Sequence, residues 1–528
     1  MSPADPLLSV VVPVYQGATV LGTVLTSVLG QRGVRLEVVV VDDGSTDDSG
    51  AVAHEVAARD PRVRVVTQEN RGLGAARNTG VRHATGDLLA FADADDVVPP
   101  GAYAAMVSSL GRSGSDLAVG NVTRQVGDEV PRVAAWMVPV HRRRRTAARL
   151  EDVPGVLGDL FAWNKVFRRA FWDDAGLAFP EGVHYEDHVP SARAYLAARG
   201  IDVLPEVVYR WRVHEGAGSI TQRKHELPNL LDALAARRES TALITAGAGP
   251  AVVRSWQERM LNGLPVFIEQ APRDEVYWEH LREGVRRVLA AIPPDALAAT
   301  PVRARVLCWL VAHADRSAVD ALHTLLEGPR EQRPRPRLRD GHTELDVPDL
   351  PGLDVPWPDG LLRLAEVDTR IVARLTGLGA LDDMSGRLRL SGVVRLVGVA
   401  RPAGAFDVPE VTVLLRPRDL APGEVEGGRD VEVPCTATVQ GDVADDALEL
   451  PPVAFSTVLD PDVLDAHLPR DADLAVEVRV RRGGTTTDGW FATKTFPQAP
   501  PQGLPTPSGS WDLGWRPGPG LELRTVSR

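Results

Sequence analysis

Cysteine is almost absent: Cys308 and Cys435 are the two in 528 residues. They stand far apart and at no metal-ligand spacing, so a disulfide framework is excluded and a reducing cytoplasm is the default expectation. Long apolar runs are also missing. No stretch reaches the roughly 18–20 apolar residues that span a bilayer. The opening MSPADPLLSVVVPVY has no basic segment before its apolar run, which Pro13 interrupts, so it does not read as a secretory signal. These features predict a chain that is cytoplasmic or peripheral at the inner face of the membrane. Excess positive charge is lacking too. A net charge of −12 argues against a nucleic-acid groove. No G-x-G-x-x-G follows the first apolar run, against a simple dinucleotide enzyme.

What is present is order. Residues 7–14 read as a buried strand, and Val20, Leu21, Val24, Leu25, Val28 and Leu29 follow at helical spacing. Leu36 to Val41, Arg62 to Thr67 and Asp87 to Phe91 read as further strands. Helices fall between them, one opened by Gly44-Ser45-Thr46-Asp47 and one over 72–83. Alternation of this kind predicts a parallel, doubly wound α/β sheet. Residues 226–335 switch to three- and four-residue apolar spacing and predict a helical linker domain, ending in the Pro- and Arg-rich run 327–341. Residues 345–500 switch to a period of two and predict a β-sandwich; 501–528 are rich in Pro and Gly and are expected to be loosely ordered.

Two acidic stations end buried strands: Asp42-Asp43-Gly44 and Asp93-Ala94-Asp95-Asp96. Carboxylates just past the carboxyl ends of parallel strands line the crevice where such sheets bind ligands. Alternate Asp residues there can converge on a hard divalent cation, and Mn²⁺ and Mg²⁺ fit equally well. Asp95 is the better candidate for direct coordination, with Asp93 on the ribose or the metal's water shell. The same residues can also serve simply as a polar turn, and Asp42, Asp43 and Ser45 as helix caps. Asn70 and Arg77 lie in QENRGLGAARN, where Arg77 can pair with phosphate or steady the acidic residues, and Gly72 and Gly74 permit close backbone approach. Glu186 and Asp187 form a third acidic pair, which could instead cap the helix that follows. Trp163, Asn164 and Lys165 can be read as core or as flanking an acceptor. His141 and Arg142 to Arg145 can be read as a polyanion-binding cluster or a solvated loop.

Taken in order, VVVPVYQG, VVVVDDGSTDDS, QENRGLGAARNTGV, GDLLAFADADD and HYEDH resemble a family 2 glycosyltransferase of the GT-A fold, over residues 7–225. The resemblance implies a GT-A catalytic domain over 1–225 that moves a sugar, with inversion and metal assistance, from a nucleoside-diphosphate sugar such as a UDP-sugar. It implies that Pro13, Val14 and Tyr15 pack on the base, that Asp42 accepts a hydrogen bond from uracil with Asp43 close by, and that Ala94 lies between the donor carboxylates Asp93 and Asp95. Asp187 takes the place of the catalytic base and Glu186 orients it or the acceptor. Arg212, His214 and Ser219 belong to a segment that closes over the diphosphate. Gln222-Arg223-Lys224-His225 departs from the Gln-x-x-Arg-Trp of processive members, against a membrane-embedded synthase. The three-part architecture is similar to that of wall teichoic acid N-acetylglucosaminyltransferases, whose immunoglobulin-like regions form trimers. It implies a cell-wall or lipid-linked acceptor and a homo-oligomer. A capsule or exopolysaccharide acceptor, and a catalytically silent glycan-binding protein, are the alternatives.

Overall fold

In a computed structural model, the described residues are 6–213 apart from 128, 130 and 135, then 223–365 apart from 330, 331 and 341. Beyond these they are 368, 370–380, 388–397, 409–417, 419–420, 431–439, 453–459, 473–482, 485–490, 504–505, 511–515 and 521–525. The chain divides into two compact units, Met1–Trp256 with Leu420–Gly423, and Gln257–Asp419 with Glu424–Arg528.

In the first unit the predicted alternation appears as β1 (Leu7–Val14), α1 (Leu21–Leu29), β2 (Arg35–Asp42), α2 (Ser49–Arg59), β3 (Val63–Thr67), α3 (Leu73–His83) and β4 (Leu88–Phe91). These strands are mutually parallel in the order β3-β2-β1-β4. There follow α4 (Ala102–Ser113), β5 (Leu117–Val126), β6 (Arg132–Val133), β7 (Arg144–Ala148), β8 (Lys165–Arg168), α5 (Arg169–Asp174), α6 (His188–Ala197), β9 (Ile201–Val213) and α7 (Leu227–Gly247). The sheet is mixed rather than wholly parallel. β8 inserts antiparallel between β4 and β5, and β9 runs parallel to β5. Both faces are covered, so β1 is apolar throughout except at Ser9, whose hydroxyl donates to Glu37 (2.6 Å). Val10, Val12 and Val14 join the core that includes α1, while Val11 meets α3 at Gly80, where a Cβ would lie 2.2 Å from a Val11 methyl.

α2 begins at Ser49 rather than near Gly44. The small polar residues before it tie two loops together: Ser45 Oγ accepts from the Gln16 amide (3.1 Å), Asp47 Oδ2 from Ala18 (3.0 Å) and Ser49 Oγ from Gly17 (2.8 Å). A run that looks like a cap thus serves the loop after β1.

The second unit carries helices at Leu264–Glu269, Glu275–Ala290, Pro294–Ala299, Val302–His313 and Arg316–Glu327. Arg305, 1% exposed, donates to the carbonyls of Leu361 (2.8 Å) and Ala298 (2.7 Å), so an apparently solvated charge is a buried staple. Part of the expected linker is a hairpin: Arg335–Arg339 pairs with His342–Asp346, with Arg339 on Asp346 at 2.9 Å. Two antiparallel sheets follow. One pairs 370–380, 388–397, 453–459 and 436–439, and the other includes 410–417, 473–482 and 521–525. The tail is not wholly irregular, since Trp511–Trp515 pairs with Leu521–Thr525. Its period-two alternation WDLGW and LELRT outweighs the surrounding Pro and Gly.

Candidate active site

The site is assembled at the carboxyl ends of β1, β2 and β4. Val14 ends β1, and its carbonyl accepts from the Asp43 amide (2.9 Å), with Tyr15 beyond it 54% exposed. Asp42 ends β2, buried, with Oδ1 accepting from the Ser45 amide (3.0 Å). The Asp43 carboxylate accepts from Gln68 Nε2 (2.7 Å) and from the amides of Arg71 (3.0 Å) and Gly72 (2.8 Å). Those bonds draw segment 68–72 over the end of β2, and Gly72 makes the turn at φ +87°. Asn70 is exposed on that segment.

The second station begins two residues past the end of β4, at Asp93. The Asp93 amide donates to the hydroxyl oxygen of Tyr209 on β9 (3.0 Å). Asp96 is 2% exposed, accepts the Arg212 amide at 2.7 Å and is also bonded by Tyr209. Burial, with the charges of Asp95 and Asp93 beside it, holds its carboxyl well above the usual carboxylate range. Asp96 is therefore built into the fold, and Arg212 enters the site through its backbone. Asp93 and Asp95 remain half-buried at the surface of the crevice, with Ala94 packed between them against the core.

Arg77 joins this station to the third. Only 1% exposed, it donates Nη2 to Asp93 Oδ1 (2.6 Å) and Nη1 to Glu186 Oε1, with its guanidinium 5.3 Å from the Phe179 ring centre. α3 can reach the 179–187 segment because Gly74 has no side chain: a Cβ there would lie 2.1 Å from the Pro180 carbonyl oxygen. Asn78 completes the grip, donating to the Phe179 carbonyl (2.8 Å) and accepting from its amide (2.9 Å). From the other side α7 holds the same segment. Asn229 accepts from Tyr185 Oη (2.7 Å), and Asp232 accepts from the His184 amide (2.9 Å) and lies 2.7 Å from its Nδ1. Tyr185 sits at φ +58°, a conformation a bulky residue adopts only when its surroundings impose it.

Asp187 lies at the head of α6, yet its side chain makes no capping bond. It is 8% exposed and within electrostatic reach of Arg77, Asp93 and Lys165. Burial pushes its carboxyl up to about 6 against the pull of Arg77, and burial likewise lifts Glu186 to about 7. Below Asp187 a closed polar network fills the core. Lys165 Nζ donates to Asp159 (2.8 Å) and Asn164 (3.0 Å), and Asn164 donates to Asp159 (2.6 Å). Trp163 stacks on Tyr209 at 4.3 Å. The basic run is turned inward: His141 and Arg143 are buried, and Arg144 pairs with Glu206. His214 and Ser219 lie outside the described residues. Among the described residues no three His, Cys, Asp or Glu side chains form a preassembled metal cage. Tyr209, Asn78, Asn229 and Asp232 were not singled out from the sequence. Only Asn78, beside Arg77, carried a local signal.

The Glycosyl transferase family 2 profile matches residues 9–174. The succinoglycan biosynthesis protein ExoO of Rhizobium meliloti (strain 1021) is 30% identical over 270 residues, covering 49% of this chain and 74% of its own. The chain belongs to glycosyl transferase family 2. Another relative, the putative glycosyltransferase EpsH of Bacillus subtilis (strain 168), is 33% identical over 221 residues, 41% of this chain. The matched part spans 63% of EpsH's own length. In structure, S. aureus TarS aligns over 99% of this chain and 85% of its own, with a TM-score of 0.52 and 16% identity, a likeness of fold. Among the described residues no helix is long and apolar enough to cross a membrane.

Proposed function

We propose that the first unit transfers a sugar, with inversion, from a UDP-sugar to a hydroxyl of a cell-surface glycan, N-acetylglucosamine or a similar hexose being the sugar moved. The observation that carries this is Arg77: one buried guanidinium grips Asp93 of the second acidic station and Glu186 of the third, so donor carboxylates and base share one crevice. Pro13, Val14, Tyr15, Asp42 and Asp43 take the nucleoside end at the β1 and β2 termini. Asp187 is the general base. It is oriented by neighbours on both sides, free of a capping bond, and lifted by burial towards neutrality, where a carboxylate removes a hydroxyl proton most effectively. Glu186 with Arg77 fixes its position and its charge.

A divalent cation, Mn²⁺ or Mg²⁺, fits the residues present. Such ions are commonly held by one or two carboxylates together with substrate phosphates rather than by a protein cage. Asp95, with Asp93 nearby, is the half-buried carboxylate set available for that purpose. When bound, the ion neutralises charge on the departing nucleotide. This chain's own residues hold the donor, exclude water beneath Asp187 and accept the acceptor's proton there.

The name of the ExoO relative favours an exopolysaccharide acceptor as a second reading within the same chemistry. The test is nucleotide release from a panel of UDP-, GDP- and CDP-sugars, with Mn²⁺, Mg²⁺ or EDTA. Release from UDP-sugars that stops with EDTA supports the reading. Release from none of them, or release indifferent to EDTA, contradicts the donor or the metal assignment.

A further inference from the structure

Trp136 is 45% exposed, on a turn whose neighbouring residues are bonded into the fold. Ala134 and Met137 on either side are buried, the Ala134 amide donates to the Val122 carbonyl (3.0 Å) and the Met137 amide to Ala134 (2.9 Å). A large apolar ring is thus held out on a fixed turn. It meets Trp211 edge-to-face with ring centres 6.1 Å apart, and the exposed Arg124 covers Trp211 at 5.5 Å. Arg124 and Trp211 are register partners on β5 and β9.

The position of this cluster is its most informative property. Trp211 lies two residues beyond Tyr209, hence on the same face of β9 and about 6.8 Å along it. Tyr209 is the residue whose hydroxyl contacts Asp93 and Asp96. An aromatic row therefore leaves the donor carboxylates and runs out to Trp136 within the span of one or two sugar units. Aromatic faces pack against the C–H faces of pyranose rings, and a stacked guanidinium adds donors for hydroxyls.

We propose that Trp136, Trp211 and Arg124 form a subsite for the acceptor, and that the acceptor is a saccharide chain presenting pyranose rings rather than a phosphodiester polymer. The burial of His141 and Arg143 and the pairing of Arg144 with Glu206 support the second half, because three of the five residues of the basic run are engaged by the chain itself rather than offered to a polyanion. This inference rests on the glycosyltransferase reading above and narrows its substrate.

The test uses the full chain, the UDP-sugar that is hydrolysed fastest, and lactose, cellobiose and chitobiose as probes. UDP release without acceptor is measured first, then the KM for each disaccharide in wild type, Trp136→Ala and Trp136→Phe. Wild type accepts at least one disaccharide. Trp136→Ala raises its KM about tenfold or more, as loss of a central aromatic contact does, while Trp136→Phe keeps most of the affinity. Acceptor-free UDP release is unchanged in all three. Absence of UDP release in wild type defeats the enzyme reading itself. UDP release with no disaccharide accepted, or an unchanged KM in Trp136→Ala, overturns the subsite alone. A change of oligomeric state in Trp136→Ala with KM unchanged assigns the ring to self-association instead.

Discussion

Replacing Arg77 with Met removes a cation that neutralises two carboxylates of the site at once. The guanidinium is 1% exposed and Glu186 is 3% exposed, so that arm of the interaction has no water to fall back on; the Asp93 arm, a quarter exposed, can be partly rehydrated. Removing one partner from a buried ion pair costs about 3–5 kcal/mol. In a domain of this size that lowers the unfolding midpoint by about 6–20 °C. The chemistry responds as well. Arg77 pulls the Asp187 carboxyl down against burial. Without that charge the carboxyl titrates higher, and because the base must be ionised, the acid limb of the transfer rate moves to higher pH. Arg77→Lys keeps the charge but loses the fork, so it should fall between wild type and Met in both readouts. The assay is thermal unfolding followed by circular dichroism, with kcat/KM for the UDP-sugar across pH 5 to 9. A midpoint within about 2 °C of wild type, or an acid limb that stays put or moves down, would refute the claim that Arg77 is the shared counter-ion.

Glu186→Gln keeps an oxygen for Arg77 but can no longer hold a charge on it, which leaves more of the guanidinium's field to Asp187. That lowers the Asp187 carboxyl, so the acid limb shifts down in a pH-rate profile. Gly74→Ala puts a methyl where the Pro180 carbonyl stands, forcing α3 and the 179–187 segment apart. Transfer should fall at least tenfold with only a modest loss of stability, measured as kcat/KM beside a thermal melt.

Much of the first unit was legible because both faces of its sheet are buried: runs such as VVVVDD and LLAFAD are continuous, and the strand ends fell within a residue of their expected places. β8 was not legible. It is four residues long and enters antiparallel from far along the chain, and nothing local marks that. The acidic residues were visible as residue types, but their division of labour was not. Asp96 is spent on Tyr209 and the Arg212 amide, while Asp43 also holds the 68–72 turn, and only three-dimensional proximity sets these roles apart from those of Asp42, Asp93 and Asp95. The basic run 142–145 misled for the same reason, because charge patterning does not say which way a loop turns. The hairpin at 335–346 was hidden by Pro336 in its first arm and Pro334 just before it, and cross-strand Arg–Asp pairs hold the arms together.

The claim on which the account turns is that Asp187 takes the acceptor's proton in the crevice that holds the donor. Asp187→Asn is nearly isosteric and removes the base alone. Measured by transfer to the accepted glycan alongside calorimetric titration of UDP, the account predicts transfer reduced by about 10²–10⁴-fold with UDP affinity within a few-fold of wild type. Transfer at the wild-type rate, or UDP binding lost along with it, would contradict it.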